Sequence, residues 1–204
     1  MEIYSTEEQQ AEAIKRFFKE NGTPLIIGAV LGLGGLYGWK AYNQNQIASA
    51  EASSEAYNQL IESDDILAKS DAFLTENAGS NYAVLAAFVA AKEAVDAGEL
   101  EQAATKLTFI ADNVQSPELK ATAQLRLARV QLAQSKHDEA LATLSKSIPA
   151  SFSAQVAEVK GDIYLSQGDQ EKAREQYQKA IDADGAQNNA LLQIKLDDLA
   201  KASN

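Results

Sequence analysis

The side chains that could carry chemistry are few, and their placement works against it. His137 is the only histidine, and it stands beside Asp138 and Glu139 in what reads as a turn between helices. A nucleophile–histidine pair needs a base held in orientation by a third group, and an exposed turn offers no such support. With one histidine and no cysteine, a zinc site lacks its usual nitrogen and sulfur ligands. The acidic pairs Asp64/Asp65 and Asp197/Asp198 fall among polar helix ends, where carboxylates stay solvated. No phosphate loop, dinucleotide fingerprint or calcium loop occurs. The expectation is a binding protein with no cofactor and no metal, and not an enzyme.

Absence of cysteine also excludes disulfides, but it leaves the compartment open. The net charge is -11, and from Asn43 onward 24 acidic residues outnumber 14 basic ones. A phosphate backbone is held by clustered Lys and Arg, so nucleic acid is not an expected partner. Alanine, leucine, glutamine, glutamate and lysine dominate, all good helix formers. Long β-branched or aromatic runs, which strands need, are missing. The fold class is therefore all-α.

Any function must come from how helices are placed, and the first is an anchor. Thr23 to Tyr42 reads TPLIIGAVLGLGGLYGWKAY, uncharged until Lys40. Twenty residues at about 1.5 Å each span roughly 30 Å, the hydrocarbon thickness of a bilayer. Tyr37, Trp39 and Tyr42 gather at the far end, where amphipathic rings prefer the interface. A cleaved signal peptide with Ala48-Ser49-Ala50 as its site is the rival. The long, acid-containing segment before the span and the distance of that site from the apolar run favour an uncleaved anchor. Lys15, Arg16 and Lys19 precede the span, and beyond Lys40 the next basic residue is Lys69. That asymmetry predicts a cytoplasmic segment over 1–22, a transmembrane helix over 23–42, and the bulk of the chain outside, the periplasm in a bacterium. Ile14, Phe17 and Phe18 beside the basic trio suit a membrane surface. Two G-x-x-x-G patterns, Gly28/Gly32 and Gly34/Gly38, would let another membrane helix approach closely.

Beyond the anchor, 43–80 reads as a helical linker in two pieces, broken near Asp64-Asp65, with a loop at Asn77–Asn81. From 81 to 204 the chain repeats itself. Ala97–Ala103, Gln134–Ala140 and Gln167–Ala173 align on their final alanines, which stand 37 and 33 residues apart, bracketing the tetratricopeptide period of about 34. In the third unit Gly161, Tyr164, Gly168, Ala173, Tyr177 and Ala180 hold the spacing G-x2-Y-x3-G-x4-A-x3-Y-x2-A. Small residues at 161 and 173 allow two antiparallel helices to approach, the tyrosines fill the remaining space, and Gly168 supplies a left-handed turn. Asp169 then caps the next helix. Helices are predicted near 82–97, 99–113, 117–134, 137–147, 153–167 and 169–183. A final helix around Leu191–Leu199 should cap the array, since an open repeat end leaves apolar surface bare.

Such arrays bind through the concave side, lined by the first helix of each unit. Counting from the aligned alanines, that face holds Leu85, Phe88, Lys92 and Val95, then Thr122, Leu125, Arg129 and Leu132, then Gln155, Glu158, Asp162 and Leu165. The expected protein-binding groove is Leu85, Phe88, Val95, Leu125, Arg129 and Leu132, apolar in two units, with an acidic third. Phe88, Leu125 and Glu158 stand where a carboxylate-clamping array carries Lys and Asn. An amphipathic or extended apolar segment of another protein would suit this face. Equally, helix 64–77 with Phe73 and Leu74 could fold back and fill it.

The chain resembles the YfgM family, the ancillary subunit of the bacterial SecYEG translocon. The resemblance rests on AIKRFFKENG (Ala13–Gly22), GWKAYN (Gly38–Asn43), LKATAQLRLARVQL (Leu119–Leu132) and LLQIKLDDLA (Leu191–Ala200), in that order. It implies an inner-membrane protein associated with SecYEG and with a PpiD-type membrane-anchored periplasmic chaperone, besides the membrane lipid itself. It further implies a role in passing newly translocated proteins to periplasmic chaperones. A tether that sequesters a soluble signalling protein through residues 1–22 is the alternative.

Overall fold

Helix-forming composition and well-placed stop signals yield a chain that is helical almost throughout. The computed structural model describes residues 7–183 and 190–201; residues 1–6 of the expected cytoplasmic segment and 184–189 and 202–204 of the expected repeat domain lie outside them. Among the described residues there is no strand. The chain divides into two units, Met1–Ala52 and Ser53–Asn204.

The first unit is one helix. Helix α1 runs Glu7–Ile61 with Pro24 inside it, so the basic amphipathic stretch and the apolar run are continuous. Its residues up to Ala52 belong to this unit. Ile26, Val30, Leu31, Leu33, Leu36 and Trp39 all lie exposed. Leaving that much apolar surface in water is costly at about 25 cal/mol per Å². It is also the one helix among the described residues long and apolar enough to cross a membrane.

The second unit begins with the end of α1, where Leu60 is buried and Tyr57 stacks near Phe73 and Tyr82. The helix breaks before Asp65, whose carboxylate accepts from the Ala68 N–H to start α2 (Ile66–Glu76). Three antiparallel pairs follow: α3 (Asn81–Asp96) with α4 (Leu100–Asn113), α5 (Pro117–Ala133) with α6 (His137–Leu144), and α7 (Ser153–Ser166) with α8 (Gln170–Asp182). Helix α9 (Ala190–Lys201) closes the array on α8. Ser80, Ser116 and Asp169 cap α3, α5 and α8 by accepting from backbone N–H groups. Each helix expected in the repeat region is present, with ends within a few residues of the sequence-based bounds.

Alanine sets the packing distance. Ala83, Ala86, Ala87, Ala90 and Ala94 on α3, with Ala103 on α4, are fully buried, which brings helix axes close enough for Leu107 and Ile110 to fill the seam. The second core gathers Leu125, Ala128, Ala140, Leu144, Val159 and Ile163, and the third gathers Ala157, Ala173, Tyr177, Ala180, Leu192 and Leu199. Gly161 shows how tight this is: a Cβ built there would collide with the ring of Tyr177.

The turn inside each pair carries a left-handed residue at the same place: Gly98 at φ 77°, Ser135 at φ 60° and Gly168 at φ 80°. Serine pays a steric cost there that glycine does not. Ser135→Gly should therefore stabilise the domain by about 0.5–1 kcal/mol after allowing for the freer unfolded glycine. Thermal denaturation should show a midpoint about 2 °C higher, and a lowered midpoint would mean the Ser135 side chain stabilises the turn.

Candidate functional site

Helices α3 and α5 are the first helices of neighbouring repeats, and between them the surface opens into a cleft of about 560 Å³. Ala91, Leu107 and Val130, all buried or nearly so, lie at its base. Phe88, Val89 and Val95 come from α3, Leu100 from the start of α4, and Ala133 from the end of α5. Lys92, Arg126 and Arg129 bring positive charge to it. The Arg126 guanidinium sits over the Phe88 ring, 5.1 Å from its centroid, a cation–π arrangement that ties the two repeats across the cleft. The linker helix does not fill it. Helix α2 packs instead on α3 through Phe73 and Leu74 in the first core, and Asp71 accepts from the buried Lys106 ammonium on α4.

Of the six groove residues read from the sequence, the structure brings Phe88, Val95 and Arg129 together at this cleft. Leu85 is exposed on α3 but is not among its lining residues. Leu125 is buried in the second core and Leu132 packs against that core, so neither lines the cleft. The lining positions of α5 are Arg126, Arg129, Val130 and Ala133, one residue on from 125 and 132. The cause is that Ala121, Ala123, Leu125, Leu127, Ala128 and Val130 of α5 are all buried. A helix buried on several sides, with small and polar residues among its buried positions, has no single periodic apolar face to read. Arg126 is the site residue the sequence reading passed over, and its signal was its place three residues before Arg129.

The third unit carries the acids expected of its face, and the capping helix brings one cation to them. The Lys195 ammonium of α9 donates to Glu158 at 3.0 Å and to Asp162 at 2.8 and 3.0 Å. Tyr177 on α8 donates its hydroxyl proton to Asp162 at 2.7 Å. Burial works against the charge on Lys195, but the hydrogen bonds it donates to Asp162 and Glu158 outweigh it and hold the ammonium above its ordinary pKa. Burial, then the bond to Asp162, pushes the Tyr177 phenol well above the usual range. An unfolded tyrosine ionises near 10, while the folded one keeps its proton. The stability this group contributes is thus complete below about pH 10 and falls as pH rises further. The melting midpoint should drop more between about pH 8 and about pH 11 in the native chain than in Tyr177→Phe; equal drops would remove this account.

In the anchor, Gly28, Gly32, Gly34 and Gly38 all lie in α1 with open space where a Cβ would stand. At about 100° per residue, the pairs Gly28/Gly32 and Gly34/Gly38 face directions about 120° apart, and Gly35 falls beside the first pair. The two patterns read from the sequence therefore mark two faces, not one. Among the described residues no group of three or more His, Asp or Glu side chains is placed to hold a metal. His137 lies at the start of α6, its Nε2 3.0 Å from the Ser166 hydroxyl.

The description "Tetratricopeptide repeat-like domain" matches residues 15–201, from within α1 to the end of α9. The chain is 36% identical over 206 residues to the ancillary SecYEG translocon subunit of Escherichia coli K12, covering 98% of this chain and all of that one. It is 31% identical over 198 residues to the protein of the same name in Haemophilus influenzae, covering 95% and 97% of the two chains. It is 32% identical over 209 residues to that of Neisseria gonorrhoeae, covering 98% and 100%. The chain belongs to the ancillary SecYEG translocon subunit family. No solved structure matches it. The match covers at least 95% of this chain and 97% of each of these relatives. A single apolar helix near the N-terminus fits an inner-membrane protein. Neither the repeat fold nor the family is an enzyme class.

Proposed function

We propose that this protein is a non-catalytic adaptor of a SecYEG translocon, held in the inner membrane by α1. Its N-terminus is cytoplasmic and its repeat domain periplasmic. The basic trio Lys15, Arg16 and Lys19 ahead of the apolar run, against Lys40 alone at its far end, supports that orientation. Confinement to the membrane plane raises the domain's effective concentration near other membrane proteins. In this reading the glycine faces of α1 pack against membrane helices of the translocon. The repeat domain holds a PpiD-type membrane-anchored chaperone, so that translocated chains pass to periplasmic chaperones.

One observation carries the adaptor reading. The array is closed at one end by α9 and covered at the other by α2, yet the cleft between α3 and α5 stays open and apolar. A domain that covers its ends and leaves a largely apolar groove bare presents a surface suited to a partner there.

Photocrosslinking amino acids placed at Gly32 and Phe88 in native membranes test this. Gly32 should yield adducts with SecYEG components and Phe88 adducts with a membrane-anchored chaperone. Removing residues 2–22 should leave copurification with the translocon largely intact, whereas a tether for a soluble signalling protein would lose its partner. Absence of translocon adducts from every anchor glycine would sink the proposal.

A further inference from the structure

The cleft between α3 and α5 carries a charge pattern at odds with the rest of the domain. From Asn43 onward acids outnumber bases by 24 to 14, yet every charged side chain lining this cleft is basic. Lys92 is committed to its own helix, 2.5 Å from Asp96 and 3.6 Å from Glu93. Arg126 and Arg129 are not. Neither makes an ion pair with a carboxylate among the described residues. They stand three residues apart on α5, and both are exposed. Several cations elsewhere in the repeats are matched, Lys106 with Asp71, Lys136 with Glu101, and Lys195 with Glu158 and Asp162, whereas the arginine pair stands unmatched beside an apolar cleft.

Guanidinium groups recognise carboxylates through paired N–H donors in a fixed fork. The apolar floor beside them takes an aliphatic or aromatic side chain. We infer that the cleft is the docking site for a partner-protein segment that carries one or two large apolar anchors with Asp or Glu within one helical turn of them. The anchor fills the space over Leu107 and Val130, and the carboxylates meet Arg126 and Arg129. This rests on the adaptor reading for the partner's identity, but its chemistry is independent of it. A peptide fits better than a free acyl chain because the cleft is open along the surface. A long acyl chain would stay wetted there, while a peptide anchor brings its own backbone to cover the mouth. The net acidic charge of the domain disfavours an acidic segment away from local cations, and at physiological salt that repulsion reaches only about 8 Å. The arginine pair thereby sets register and selectivity more than raw affinity.

The test uses the full chain in detergent or nanodiscs and fluorescein-labelled, helix-forming peptides of about 15 residues. One peptide carries two leucines flanked by glutamates, a second replaces the glutamates by lysines, and a third replaces the leucines by serines. Fluorescence anisotropy should show binding of the first alone, weakened about tenfold or more by Arg126→Glu with Arg129→Glu. Affinity should also fall about threefold between about 50 and about 300 mM NaCl. Should the charge-reversed chain fail to fold, judged by its melting curve, Arg126→Gln with Arg129→Gln should give a smaller loss in the same direction. Equal binding of the lysine peptide, or unchanged binding by both variants, overturns the inference. So does tight binding of a dansylated fatty acid in place of the peptide, or arginine-dependent self-association, which would make a second copy the occupant. Loss of peptide binding with Gly32 adducts intact rejects this inference and spares the adaptor reading. Peptide binding without translocon adducts does the reverse.

Discussion

Gly161→Ala is expected to lower the stability of the repeat domain by about 2 kcal/mol. The added Cβ would collide with ring atoms of Tyr177. That ring cannot swing aside, because Tyr177 is fully buried and its hydroxyl is tied to Asp162 at 2.7 Å. Overpacking of this kind costs about 1–3 kcal/mol and sometimes more, and here the contact is with a rigid ring. Against it stands a gain of about 1 kcal/mol from replacing glycine in mid-helix. The clash wins because helix α7 would have to move off α8, opening the third core as a whole. The melting midpoint should fall by about 4–8 °C. Tyr177→Leu removes the ring, so the two changes together should cost at least about 1 kcal/mol less than their sum. An unchanged midpoint for Gly161→Ala would show that α7 and α8 are spaced more loosely than described.

The second large effect lies in the anchor. Leu31 and Leu33 are exposed near the middle of the apolar run of α1. Arginine at the centre of a membrane helix is unfavourable by about 2.5–3.5 kcal/mol, where leucine is favourable by about 0.5. Leu31→Arg with Leu33→Arg should therefore cost about 6–8 kcal/mol of insertion energy. Fractionation with a carbonate wash should move the chain from the membrane pellet to the supernatant. Full retention of the double variant in the pellet would show that α1 is not what holds the protein there.

Much of this molecule is legible before any fold is known. A run of twenty apolar residues announces itself by length alone, since only such a run can span hydrocarbon with its backbone bonds satisfied internally. Helices α3 to α8 were legible because their turns recur in register. Gly98, Ser135 and Gly168 occupy one position of the repeat, and their shared left-handed backbone is what that position demands. The close approach of α7 and α8 was likewise written in Gly161 and Ala173 against Tyr177, small residues facing a large one.

The binding face was decided elsewhere. Leu125 and Arg126 are neighbours in sequence, but one is buried in the second core and the other lies over Phe88. Which of them faces the cleft depends on how α5 is rolled between two cores, and that roll is set by contacts with α4, α6 and α7 that no local pattern encodes. The fate of the acids at 158 and 162 is settled the same way. Lys195 lies 33 residues beyond Asp162, and only the docking of α9 brings its charge to them. Local periodicity fixes where helices begin, end and turn. The choice of what they leave exposed belongs to packing, because burial is a property of pairs of elements that the chain brings together from far apart.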